Sequence, residues 1–430
     1  MRILVTGAYG FIGAHITAAL VASGQDVVCA VREARVDSRF PGLKAIACDM
    51  SRDTDPQIWL SRLDDIDAVV NCAGILRETD RDTFQAVHEQ SPLALFRACE
   101  QRGIERVIQI SALGDPADGE FVASKHRCDE ALAQLPLEWL VLRPSLVYSV
   151  RGSYGGTSLL RGLSALPWLM PLPGNGDQPV QPISAEDIGA CVAAALKNSS
   201  CTRQVVELVG PDMLSLREYL LTWRRWLGFA TPRLWKVPSS LVGMAASLGE
   251  RFGKGPLGNT MTRMLERGNV GSADAIKKLQ DGLGIFPRAL RRVLDESPSH
   301  VQDRWHARLY FLLPTLRIVI ALLWICSGVV GWLTPMTHVI GTTSEHPMSP
   351  PLLFALARGT AAADLMLGAL CLIRWRTSLV LALMLVMLLG YTLGIGIFWP
   401  QHWLDPFGGL LKNLPLVVVL LILLATDERR

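Results

Sequence analysis

The first residues able to do chemistry stand in the run TGAYGFIG at residues 6–13, where Gly7, Gly10 and Gly13 recur every third position directly after a short apolar segment. Glycines so placed permit a tight turn, close approach of backbone to a pyrophosphate, and close packing of helix on strand, with the phosphates at the helix N-terminus. The implied chemistry is dinucleotide binding. The spacing alone is a weak signal, and it is strengthened by its position between a strand and a helix. A second informative position is Arg32, which closes the next apolar segment and is followed by Glu33. A carboxylate at this place accepts the ribose hydroxyls of NAD, whereas a basic group pairs with the 2′-phosphate of NADP. Arg32 is nearer the strand end, so the reading favours NADP(H) over NAD(H). Nine cysteines are scattered singly, without CxxC or CxxxH spacing, which argues against a zinc or iron-sulfur site, and no metal is expected. The net charge of +3 with no basic run argues against nucleic acid as a partner.

These residues need a scaffold, and the chain supplies one by alternation. Strands are predicted at 2–6, 26–32, 43–47, 68–72, 106–111 and 138–143, with helical patterns between most of them, the first running to about Ser23. That rhythm means an α/β fold, a doubly wound parallel sheet of Rossmann type. A length of 430 residues exceeds what one core organises, so several domains are expected: a nucleotide-binding domain at 1–230, a helical cap or linker at 231–304, and a membrane domain at 305–430. Within 231–304 an apolar helical surface around Leu241, Val242, Met244, Ala245 and Leu248 fits either core packing or contact with a membrane surface.

The apolar excess lies after Leu309. Four stretches, 309–333, 352–373, 378–399 and 407–425, reach the roughly 20 residues of a spanning helix. Arg288, Arg291, Arg292, Arg304 and Arg308 precede the first, Arg374 and Arg376 lie between the second and third, and Arg429 and Arg430 close the chain, while the loops 334–351 and 400–406 hold no Lys or Arg. The positive-inside rule then places both termini and the nucleotide-binding domain in the cytosol, on a multi-pass inner-membrane protein. The opening MRILVTG has no secretory pattern. Inside the spans, Arg317 and Asp364 are expected to pair at matching depth, and Arg358 with Lys412 to line a polar site, with Asp405 as one possible partner.

Several features together resemble the atypical or extended short-chain dehydrogenase/reductases: TGAYGFIG, Asp49 after the third strand, NCAG at 71–74, Ser111 ending a strand, Lys125, RPSLVY at 143–148 and QPISAEDIG at 181–189. The resemblance implies that Asp49 contacts the adenine, that Ala73 and Gly74 line the cofactor groove, and that Lys125 holds the nicotinamide ribose. It also implies Tyr9, Phe11, Ile12, Met50, Cys72, Pro144 and Ser145 as cofactor contacts, with Ser111 and Lys125 as the catalytic candidates. One departure stands out. The family places a proton-passing Tyr four residues before the Lys, and here that residue is Phe121. The first part also resembles the NADPH-holding accessory subunit of respiratory complex I and its bacterial relatives. Residues 305–430 resemble the DoxX-like four-helix membrane proteins, most clearly in WLDPFGGLLKNLP at 403–415.

The expected function is a membrane-anchored oxidoreductase that passes reducing equivalents from NAD(P)H to a lipid-soluble acceptor such as a quinone. The alternative is a non-catalytic NADPH-binding accessory or assembly subunit of a membrane redox complex or quinone-synthesis assembly. A transporter is weaker, since four spans without a visible repeat leave little room for alternating access.

Overall fold

The computed structural model describes residues 1–32, 40–198, 201–252, 258–343, 348–404 and 408–427. It divides into two compact units, Met1–Arg308 and Leu309–Arg430. Glu33, Asp405, Arg429 and Arg430 lie outside the described residues.

In the first unit the predicted strands form β1 (Arg2–Thr6), β2 (Asp26–Val31), β3 (Lys44–Ala47), β4 (Ala68–Asn71), β5 (Arg106–Ile110) and β6 (Glu138–Pro144), joined by β7 (Gln204–Leu208). They make one parallel sheet in the order β7-β6-β5-β4-β1-β2-β3, the doubly wound arrangement expected from the sequence. The strands read as unbroken apolar runs because both faces are covered. Within β1, Ile3 and Val5 join Ile16, Leu20 and Ile188 on one side, and Leu4 joins Trp59, Leu95 and Phe96 on the other. The chain crosses from one half of the sheet to the other between β1 and β4, and in such sheets ligands bind outside the strand ends at this switch point. Three helices border that point: α1 (Phe11–Ala22), α2 (Glu120–Ala133) and α3 (Ala185–Lys197).

The stretch 231–304 is largely helical. Strand Arg233–Val237 pairs in parallel with Leu169–Pro173, and α4 (Ser239–Phe252) and α5 (Asn259–Arg267) follow. Helix α4 buries Ala246 and leaves Leu241, Met244 and Leu248 outward, so its outer apolar residues are not core. Further along, Leu279 and Leu283 join the core beneath β7, tying the end of this stretch onto the parallel sheet.

Among the described residues, three helices are long and apolar enough to cross a membrane: α6 (Val301–Leu333), α7 (Pro350–Leu372) and α8 (Thr377–Phe398). The fourth predicted span, 407–425, yields a shorter helix, α9 (Asn413–Ala425), of 13 residues. At 1.5 Å per residue that is about 20 Å, less than a hydrocarbon core of about 30 Å. Residues 409–412 form a turn instead, beginning beside Gly408 at φ +62°. Hydropathy does not register glycine's cost in a helix, so the apolar run outlasts the helical one.

The charges on the apolar helices of this unit, buried Asp364 and half-buried Arg317 and Arg358, are satisfied differently from the sequence expectation. Asp364 accepts hydrogen bonds from the Ser327 hydroxyl at 3.0 Å and the Tyr391 hydroxyl at 3.3 Å, not from Arg317. Arg317 lies near Cys371, Arg374 and Asp427. Ser327 is ten positions beyond Arg317 on the same helix, about 15 Å along its axis, which separates the two charges in depth. Arg358 lines no shared polar site with Lys412, which is exposed. Its guanidinium donates to the carbonyls of Gly331 at 2.8 Å and Trp332 in the last turn of α6, and of Thr334 at 2.9 Å just beyond it. These groups have no intrahelical donor, and a cation there also opposes the negative end of the helix dipole.

Arg358→Leu should therefore destabilise the protein by about 1–3 kcal/mol through unsatisfied carbonyls. A lowered thermal midpoint in detergent, partly restored in Arg358→Lys, is the expected result. Arg317→Leu and Asp364→Leu should give additive losses, because the two residues do not pair.

Candidate functional site

The site begins where β1 ends. Gly7 has φ +61°, and a Cβ there would stand 3.0 Å from the Cys72 carbonyl oxygen and 3.1 Å from the Ala73 nitrogen. A Cβ on Gly13 would come within 2.1 Å of the Gly7 oxygen, so only glycine allows α1 to pack this close to the loop. Gly10 starts α1, and its Gly N-cap offers no side chain to the first N–H groups of the helix. Such orphaned donors, at the positive end of the helix dipole, suit a diphosphate. The cradle fits the pyrophosphate of a dinucleotide. Around it, Tyr9 packs on Phe40 at 6.3 Å between rings, Phe11 packs edge-on to His15 at 5.5 Å, and Ile12 leans on the sheet core.

At the ends of β2 and β3 the structure gathers an ionic cluster. Arg32 donates to both oxygens of Asp82, at 2.9 and 3.2 Å, and its Nε stands 3.5 Å from Asp49. Asp49 also accepts from the Ser51 backbone at 3.2 Å, from the Ser51 hydroxyl at 2.7 Å and from Arg81. Burial works to raise the Asp49 pKa, but the Ser51 and Arg81 hydrogen bonds outweigh it and hold the carboxyl below its usual range. Met50 is buried beneath, with its sulfur accepting from the Ser91 hydroxyl at 3.4 Å.

The other end of the groove is built by the segment after β4, the end of β5 and helix α2. Cys72, Ala73 and Gly74 run past the buried Lys125, whose Nζ donates to the Ile110 carbonyl at 3.1 Å and stands 3.2 Å from the place a Gly74 Cβ would occupy. Burial pulls the Lys125 ammonium below its usual pKa, with Asp129 opposing. The Cys72 thiol is pushed up to about 12 by burial, which leaves it protonated and inert. Ser111 donates to Asp129 Oδ2 at 2.7 Å, and Arg143 donates to the same oxygen through Nε at 3.0 Å and Nη2 at 2.9 Å. Pro144 closes β6 with its carbonyl accepting from Leu113 at 3.0 Å, and the Ser145 hydroxyl donates to the Gln181 carbonyl.

Phe121 lies one turn before Lys125 on α2 and packs edge-on to His88 at 5.7 Å and Phe84 at 6.3 Å. His88 Nε2 accepts from the Ile75 amide at 3.0 Å, which leaves Nδ1 to donate to the Ser124 hydroxyl at 2.9 Å. The Ser124 hydroxyl in turn donates a hydrogen bond to the Glu120 carbonyl at 2.7 Å. Burial, then the Lys125 charge, push the His88 imidazole down to about 2, so it stays neutral. Where the family carries a Tyr hydroxyl, the pocket thus offers a phenyl ring against an imidazole with both nitrogens engaged.

The structure brings the glycine loop, residues 72–74, Ser111 and Lys125 to one switch point and sets Arg32 and Asp49 together at the adjoining end. Sequence reading missed Asp82, Arg81, His88 and the Asp129–Arg143 pair. Only Asp129 left a local signal, standing four residues after Lys125 on one helix face. The others reach the site through loops or a different element.

Residues 3–206 match the NAD dependent epimerase/dehydratase family, and residues 321–421 match the DoxX-like family. An uncharacterized protein of Mycobacterium tuberculosis is 27% identical over 219 residues, covering 50% of this chain and 22% of that protein. The chain thus spans about a fifth of the length of this relative. The photosystem II assembly factor Ycf39 of Synechocystis is 25% identical, over 59% of this chain and 75% of that protein. The Arabidopsis thaliana NADH dehydrogenase [ubiquinone] 1 alpha subcomplex subunit 9 is 29% identical, over 50% of this chain and 55% of that protein. Among solved structures, a nucleoside-diphosphate-sugar epimerase of Staphylococcus aureus aligns with a TM-score of 0.53 at 18% identity, covering 68% of this chain and 99% of its own. This likeness concerns the fold.

Gly13→Val should weaken binding of a nicotinamide dinucleotide by at least tenfold, about 1.4 kcal/mol, because its side chain must displace the Gly7 carbonyl. Fluorescence titration checks it, with Gly243→Ala, which has open space around it, as the unaffected control.

Proposed function

We propose that this chain, an NAD-dependent epimerase/dehydratase-type Rossmann domain followed by a DoxX-like membrane domain, is an NAD(P)H oxidoreductase whose acceptor is lipid-soluble, of quinone type. The observation that carries the reading is the groove beside Lys125, which holds a cofactor cradle but has Phe121 in place of a hydroxyl proton donor. A reduced nicotinamide supplies a hydride, and a quinone taking it can draw its remaining proton from water, so the missing Tyr matters less than for a carbonyl. Lys125 would hold the nicotinamide ribose, the α1 amides the pyrophosphate, and residues 72–74 the face of the groove. An apolar cavity lined in part by Leu159, Leu163, Leu220, Val242 and Met261 supports an apolar substrate. Met261 approaches Gly156, while the preceding Gly155 abuts Leu76, two residues past Gly74.

The second reading is a nucleotide-binding subunit without turnover, serving a membrane assembly. The similarity to an assembly factor and to a respiratory-complex subunit favours it, as does the engagement of Ser111 by Asp129. NADPH oxidation by the protein in nanodiscs, with and without a short-chain ubiquinone, separates the two. Quinone-dependent oxidation is expected, and tight cofactor binding with no oxidation would establish the second reading instead.

The preferred cofactor is NADPH, supported by Arg32 and by the surplus of cations around Asp49 and Asp82. A charged hydrogen bond to the 2′-phosphate contributes about 1.5–3 kcal/mol, roughly tenfold or more in affinity. Since Asp82 competes for Arg32, Asp82→Asn should tighten NADPH several-fold while Arg32→Ala weakens it about tenfold, and neither should move NADH comparably. Calorimetric titration of both cofactors is the check. Simple aldehydes and ketones should be reduced negligibly, since general acid catalysis typically supplies about 10²–10⁴ in rate. Robust NADPH-dependent reduction of such a substrate would place a proton donor elsewhere.

A further inference from the structure

The unit Met1–Arg308 carries an apolar surface that the described residues leave open. Trp168 is 82% exposed at the start of the paired strands, and Trp235 is 49% exposed on strand Arg233–Val237. The Arg233 amide donates to the Trp168 carbonyl at 2.9 Å, so the two segments meet at this corner. Helix α4 leaves the same strand through Pro238 and turns Met244 and Leu248 outward, 55% and 51% exposed.

This surface is tied to the last residues of the same unit, which lead into the apolar stretch of α6. Arg224 donates to the carbonyls of Ser164 at 2.8 Å, Leu166 at 2.7 Å and Pro167 at 3.3 Å, pinning the loop that leads to Trp168. The same guanidinium lies 5.8 Å from the Phe229 ring, and Arg308 stacks over that ring at 4.6 Å. Arg304 lies against Gly228. Residues 304–308 are the turns of α6 just before its apolar stretch, and through Phe229 and Arg224 they connect to the Trp168 loop within the same unit. Arg225, Arg233, Lys236, Arg304 and Arg308 in this region are all exposed.

We propose that the Trp168–Trp235 corner and the outer face of α4 rest in the headgroup layer of the membrane that the chain itself crosses, docking the nucleotide-binding unit on the bilayer surface. Tryptophan and basic residues are the chemistry of that layer: the indole bridges apolar and wet surroundings, and Arg and Lys meet anionic headgroups. An apolar helix face flanked by cations lies in the interface without spanning it. A second copy of the chain is the weaker occupant, because a symmetric contact would set these five cations against their equivalents.

The test uses the full-length protein in nanodiscs. Among the described cysteines Cys326 alone is exposed, so a Cys326→Ser background permits a bimane label at Trp168→Cys, at Met244→Cys, and at Val21→Cys on α1 as a control. Brominated lipid should quench the labels at 168 and 244 at least threefold more than the label at 21. Adding Arg233→Glu and Lys236→Glu should lower quenching at 168 in anionic nanodiscs, at an unchanged thermal midpoint. Equal lipid quenching at all three positions overturns the proposal. So does weak lipid quenching at 244 with efficient bismaleimide cross-linking between two copies there, which would mark a protein interface.

Discussion

The first unit depends on one close approach, the passage of the α1 start over the end of β1. The Gly7 oxygen stands where a Gly13 Cβ would lie, and the Gly7 α-carbon faces the backbone of Cys72 and Ala73 across the switch point. Packing at that distance does two things together. It brings the helix N–H groups to the crevice between β1 and β4, and it leaves a channel whose walls are main chain, to which a diphosphate can come close. Any side chain at these positions would fill the space that a cofactor needs, so the binding site and the helix–sheet contact are a single geometric solution.

Around this crevice the electrostatics are arranged by burial. Lys125 is a cation withdrawn from water, which costs free energy unless it is compensated, and the compensation comes from the Ile110 carbonyl and the Asp129 carboxylate one turn away. Asp129 is compensated in turn by Arg143 and Ser111. The hydroxyl of Ser111 is thereby spent on structure, and the neighbouring imidazole of His88 is spent on the Ile75 amide and Ser124. A phenyl ring at 121 suits this setting, since it seals His88 without adding a polar group to satisfy. With these polar groups engaged by one another, the groove beside Lys125 offers little acid–base chemistry of its own.

What was legible in the sequence follows from how local each signal is. The strands could be read because parallel sheets bury both faces, and the glycine loop because its spacing is a local requirement. The absence of a proton donor was visible in the spacing of Phe121 and Lys125. By contrast, a lone His88 has no pattern, and its role arises from contacts with residues 75, 121 and 124 on two other segments. Arg32 was legible as a cation at a strand end, but not its capture by Asp82, fifty residues on. The outward face of α4 could be read as apolar, yet only the packing of Ala246 inward decided which side met the protein.

In the second unit, charge inside the apolar helices is handled without ion pairs among the described residues. Depth matching from the ends of hydropathy windows assumed that charges seek each other, but in a bundle the nearest unsatisfied partners are often backbone. Arg358 finds the open carbonyls at the end of α6, and Asp364 finds two hydroxyls, while Asn413 donates to the Thr392 hydroxyl at 2.9 Å near the start of α9. Small residues make the helix contacts: a Cβ on Gly328 would stand 2.7 Å from the Ala361 oxygen, and one on Gly368 2.8 Å from the Ala321 oxygen. In lipid, where apolar surface gives no preference between neighbours, close backbone contact and such hydrogen bonds select the partner helix. The register of α6 against α7 is therefore set by glycines, and the registry of Ser327 with Asp364 follows from it.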